Sequence, residues 1–99
     1  MEEDVEWPPP AARVKAAVWR AEGHIERGEY AQAARALREA FGLGGDQTLL
    51  RGLHHLAAAG WKHQHGENER ARRQLEHARR RLGSRRRRLV ALVERRLGS

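Results

Sequence analysis

Six histidines, His24, His54, His55, His63, His65 and His77, are the side chains in this sequence best suited to hold a metal ion or move a proton. Two imidazoles share one face of a helix when they stand three or four residues apart, and no pair here has that spacing. His54 and His55 diverge by about 100° around a helix, and His63 and His65 by about 200°. Tertiary folding would be needed to bring His55 against a histidine from another helix. Otherwise one of the 54/55 pair lies near a buried seam and the rest face solvent. The chain has no Cys, which removes thiolate catalysis, thiolate metal sites and disulfides. Its hydroxyls are Tyr30, Thr48, Ser84 and Ser99, and Thr48 and Ser84 stand where helices are expected to start. The run GLGGDQT at positions 42–48 has three glycines but no preceding strand and no following Lys. It therefore reads as a helix stop followed by a cap, not as a phosphate loop. The expectation is a protein that is not an enzyme, with no catalytic, cofactor-binding or metal-ligating residue, no cofactor and no small-molecule substrate.

The remaining chemistry is cationic. Net charge is +7, carried by eighteen Arg and only two Lys against thirteen acidic residues. Residues 1–66 hold eight basic and nine acidic side chains, whereas residues 67–99 hold twelve and four. The positive field thus belongs to the last third, densest at Arg79, Arg80 and Arg81 and again at Arg85, Arg86, Arg87 and Arg88. The second group is expected in the first turn of a helix, where the helix dipole disfavours cations by about 1 kcal/mol in total. A phosphate or carboxylate there would relieve the repulsion. Such a surface suits non-sequence-specific nucleic acid or another polyanion, or it is simply a solvated helix face in an Arg-rich protein. All five aromatic residues precede position 62, so base stacking beside these clusters is not expected.

The elements that would position these groups are helical. Val, Ile and Thr supply seven residues in all, against sixteen Ala and eleven Leu, which excludes a sheet protein. Residues 1–10 form an acidic tail ending in Pro8, Pro9 and Pro10, with Trp7 able to fold back onto the core. Apolar spacing and glycine stops then define helices over 11–27, 29–41, 46–65, 67–82 and 85–97. Val14, Val18, Ala21 and Ile25 face inward from the first, with Trp19 off that stripe. Asp46 caps the third, whose Leu49, Leu50, Leu53, Leu56, Ala57, Gly60 and Trp61 make it the central, most buried segment. Gly83 stops the fourth and Ser84 caps the fifth, whose apolar face is Leu89, Val90, Leu92, Val93 and Leu97.

An internal repeat organises the middle of the chain. Residues 28–40, GEYAQAARALREA, and residues 66–78, GENERARRQLEHA, share the pattern G-E-x-x-x-A-x-x-x-L-x-x-A at an offset of thirty-eight. The glycine permits a tight turn out of the preceding helix. The first Ala lets two helices approach closely, and Leu and the last Ala continue that face. Each unit is then the second helix of an antiparallel hairpin. Gly28, Tyr30, Ala33, Leu37 and Ala40, echoed by Gly66, Ala71, Leu75 and Ala78, resemble the second-helix signature of tetratricopeptide repeats. Residues 49–82 also resemble the core of a small prokaryotic helical family, domain of unknown function 309, through Leu50, Gly52, Leu53, Leu56, Ala57, Ala58, Ala59 and Gly66. Gly28, Tyr30 and Leu37 match that family's upstream signature, and Phe41 stands where its aromatic falls. Its polar members are replaced, with Ala34 at the His place and Arg35 and Arg38 at the two Glu places. Any metal or acid/base chemistry those groups provide in the family is therefore missing here. The resemblance implies a helical fold and no particular activity.

The sequence thus predicts one all-α domain over 11–99, a compact antiparallel bundle of about five helices made of two hairpins and a C-terminal helix. Its small core favours a protein partner or self-association, with Trp19 as the candidate contact residue. The absence of a signal-like start or a long apolar run points to a cytoplasmic protein without a membrane span. The expected role is that of a non-catalytic interaction or structural module. Polyanion binding through Arg79, Arg80, Arg81, Arg85, Arg86, Arg87 and Arg88 is the alternative.

Overall fold

Glycine at the turns and alanine at the seams shape this molecule. The computed structural model describes residues 7–98. Five α-helices follow in order: α1 (Pro10–Glu26), α2 (Tyr30–Gly42), α3 (Gln47–Gln64), α4 (Asn68–Leu82) and α5 (Arg87–Arg96), with no strand among the described residues. The first four begin and end within one residue of the predicted bounds. Pro10 opens α1, where its missing N–H costs nothing and its fixed φ suits a helix. Gly28 and Gly66 turn the chain with φ of +78° and +79°, left-handed conformations that a side chain would strain. Asp46 Oδ1 accepts the Leu49 N–H at 3.2 Å and so caps α3.

The repeat has the packing role read from its spacing. Ala33, Leu37 and Ala40 on α2 and Ala71, Leu75 and Ala78 on α4 are all buried. Helices α1 and α2 form one hairpin, α3 and α4 the other, and α2 packs on α3 to join them. Two glycines of α3 make these contacts close. The Tyr30 ring lies over Gly60, in the space a methyl group there would occupy. Leu82 lies over Gly52, where a methyl would come within 2.6 Å of Leu82 Cγ. Helix α3 is accordingly the most buried element, with Leu50, Leu53 and Leu56 fully enclosed.

Helix α5 packs across α1, α3 and α4, burying Leu89, Val93 and Leu97 while Val90 and Leu92 are half-buried. Arg96 fastens its C-terminal end. That guanidinium donates to the Ile25 carbonyl at 2.7 Å, to Tyr30 Oη at 2.8 Å and to the Glu26 carbonyl. These carbonyls end α1, where unpaired acceptors and the helix dipole favour a cation.

Three expectations need correction. Arg85 and Arg86 do not belong to the first turn of α5, which begins at Arg87, and Ser84 does not cap it. Gly83 at φ +58° ends α4, and Arg86, also at φ +58°, is the N-cap residue, so residues 83–86 are spent on the corner. Trp7, whose placement the sequence leaves open, does not fold back onto the core; it is 85% exposed. Trp61 lies at the edge of the α3 stripe and is 40% exposed, its ring stacked on His65 at a centroid distance of 3.9 Å.

Candidate functional site

The α4–α5 corner carries all seven arginines singled out from the sequence, and the fold divides them. Arg79 pairs with Glu94 of α5, Arg85 with Asp46 at 3.0 Å and Arg86 with Glu22 of α1. The first ties α4 to α5, and the other two tie the corner to the start of α3 and to α1. Asp46 is thereby held below the usual carboxylate range, first by the Leu49 N–H and then by Arg85. Arg80, Arg81, Arg87 and Arg88 are exposed and have no acidic partner among the described residues. Arg80 and Arg81 sit in the last turn of α4, where the dipole favours them, and Arg87 and Arg88 open α5, where it does not.

Trp19 is 77% exposed on α1. It borders a shallow groove of about 330 Å³ lined by Arg20, Gly23, His24, Glu26 and Arg27, all from α1 and its C-cap. Beside the groove, His24 Nδ1 lies 2.8 Å and Arg27 Nε 3.0 Å from Glu29 Oε1. The hydrogen bond with the His24 side chain, and after it that from Arg27, hold the Glu29 carboxyl below its usual range. Arg20 pairs with Glu39 of α2 at 2.7 Å.

A cleft that the sequence reading did not identify lies between α2 and α3. Its volume is about 380 Å³, its walls include Ala31, Ala34, Ala57 and Ala58, and its polar groups are Arg35, Arg38, His54 and Lys62. Trp61 also lines it, and Tyr30 connects it to Arg96 on α5. The alanines leave the space and the long cations rim it. Ala34, Arg35 and Arg38, the positions that break the polar signature noted above, all face this cleft. No carboxylate lines it. His54 is half-buried and its pKa is pushed below 6.5, first by burial and then by His55 and Arg38, so it is neutral at pH 7. Lys62 also borders a second cleft, between α3 and α4, with Arg70, Arg73, Gln74 and His77. The signal available in the sequence was the shared face of Arg35 and Arg38 (i, i+3) and of His54, Trp61 and Lys62 (i, i+7, i+8).

Folding does bring two of the histidines together. The rings of His55 and His77 are 5.2 Å apart, and His55 Nδ1 is 2.7 Å from Gln74 Oε1. Two imidazoles alone do not complete a zinc-type ligand set, and no group of three or more His, Cys, Asp and Glu among the described residues could hold a metal ion. No helix among them is long and apolar enough to cross a membrane. No family model matches the chain, and neither a curated protein nor a solved structure does.

Proposed function

We propose that this small all-helical protein is a non-catalytic interaction module that docks a protein partner, in the simplest case a second copy of itself, across the outward face of α1. The exposure of Trp19 carries this reading. The buried core is built from Ala, Leu, Val, Ile and Tyr30, and all three tryptophans lie outside it. Ala12, Ala16 and Trp19 are exposed and Gly23 is half-buried along one face of α1, so a second helix could approach closely beside the indole. Removing three-quarters of roughly 200 Å² of indole from water at about 25 cal/mol per Å² is worth about 4 kcal/mol. That suffices for an interface anchor. Sedimentation of the wild type and Trp19→Ala at tens of micromolar tests it: a dimer reduced to monomer by the substitution is expected. A wild type that stays monomeric at every concentration overturns self-association through α1.

A second reading has support from the four corner arginines that have no acidic partner among the described residues, Arg80, Arg81, Arg87 and Arg88. They favour contact with a polyanion through its phosphates. Titration of duplex DNA and RNA at several salt concentrations, with these four changed to Gln, checks it. Affinity absent at low salt, or unaltered in the variant, removes it.

A further inference from the structure

The α2/α3 cleft differs from the α1 face and from the corner in combining an aromatic ring with cations that meet no acid among the described residues. Arg35, Arg38 and Lys62 have no ion pair with any described residue, and His54 makes no hydrogen bond to one. Arg20, Arg27, Arg70, Arg79, Arg85 and Arg86, by contrast, are each matched to an acid of the chain. A cavity rimmed by cations, without a carboxylate in its lining, is matched by an anion. The alanine walls leave room for a flat body, and Trp61, stacked on His65 and 40% exposed, adds an aromatic surface to the lining. Lys62 lines both clefts, and Arg73 and His77 add further basic groups to the second, so a ligand that reaches both is one whose negative charge repeats. Planar groups joined by repeating phosphates are the chemistry of a nucleic-acid strand. A duplex hides its bases, whereas a single strand can lay one against an aromatic while its backbone follows a basic groove.

We propose that the surface formed by α2, α3 and α4 binds single-stranded nucleic acid without sequence specificity, with a base against Trp61 in the first cleft and phosphates on Arg35, Arg38, Lys62 and Arg73. This site is separate from the α1 contact and from the arginine corner, and it depends on neither. Its lining holds no acid that would repel the backbone. A single exposed indole beside these cations lets stacking and charge contribute together.

Fluorescence anisotropy of a labelled oligo(dT) and oligo(U) with the full chain, at two salt concentrations, tests the proposal. The same measurement uses an unlabelled duplex and heparin as competitors. Binding is expected to favour the single strand over the duplex and to weaken steeply with salt. It is expected to fall about tenfold in Trp61→Ala, to recover in part in Trp61→Phe, and to be lost in Arg35→Glu/Arg38→Glu. Arg51→Gln, which removes an exposed cation of α3 outside both cleft linings, leaves it close to wild type. Circular dichroism of each variant confirms that the helices persist. No binding at low salt overturns the proposal. So does heparin binding equally well with Trp61→Ala having no effect, which would leave charge alone. Loss only in an Arg87→Gln/Arg88→Gln variant would place the contact at the corner and also overturn it.

Discussion

The α4–α5 corner and the α2/α3 cleft are both basic, yet their arginines have different surroundings. At the corner, Arg79, Arg85 and Arg86 reach acids on α5, at the start of α3 and on α1, and Arg96 at the far end of α5 reaches backbone carbonyls and Tyr30. In the cleft, Arg35 and Arg38 meet alanines, an imidazole and another cation. A count of charge along the chain places the positive field in the last third. The fold returns part of that charge to the protein itself, as ties that dock a ten-residue helix too short to stand alone. The less conspicuous Arg35, Arg38 and Lys62 of α2 and α3 meet no acid among the described residues. High local charge density therefore marks where the chain is fastened as well as where it could meet an anion.

Breaking the link between the two regions should have the largest effect. Tyr30 links the cleft to α5, the helix that leaves the corner, as a wall of the cleft and as the partner of Arg96 at the far end of that helix. Tyr30→Ala should cost about 3–5 kcal/mol in urea unfolding, because the ring fills the space above Gly60. Arg96→Met, which keeps the aliphatic stem but removes the donors to α1, should cost about 2 kcal/mol. It should also raise amide exchange across α5 more than across α3. A double-mutant cycle on Arg86→Gln and Glu22→Gln should give a coupling of at most about 1 kcal/mol, since both partners retain solvent access. Arg35→Gln/Arg38→Gln should change stability by no more than about 0.5 kcal/mol. This contrast with the corner is the one expected if the cleft cations are not structural.

Acidification separates the regions in another way. His54 has a folded-state pKa below 6.5, so the unfolded chain takes up its proton first. Its contribution to stability is whole above that value and declines as pH falls through 6.5 toward the folded-state pKa. His54→Gln should flatten that part of the pH profile of the urea midpoint. Asp46 and Glu29, both lowered, act in the carboxylate range, and their stabilisation is lost only at more acidic pH.

Most of the scaffold could be read before folding was known because its information is local. The glycine at the start of each repeat unit, the Ala and Leu at fixed offsets and the Asp46 cap each act within a few residues. The corner was misread because its geometry depends on distant partners: Arg86 adopts a left-handed backbone as its guanidinium meets Glu22, sixty-four residues away. Trp61 and the cleft were missed for a related reason. The apolar periodicity of α3 assigns Trp61 to the seam, but the seam at that height is already filled by Tyr30 over Gly60. The basic residues of three helices appear scattered in the sequence and converge only when α2 packs on α3. His55 and His77 show the same limit, being neighbours that no helical spacing could have paired.

The division of the arginines can be measured most directly in the free protein, from the residue-by-residue solvent exchange of guanidinium protons by nuclear magnetic resonance. The fold predicts slow exchange for Arg79, Arg85, Arg86 and Arg96, and fast, nearly free exchange for Arg35, Arg38, Arg80, Arg81, Arg87 and Arg88. Uniformly fast exchange at all ten, or protection at Arg35 and Arg38 with none at the corner, would contradict it.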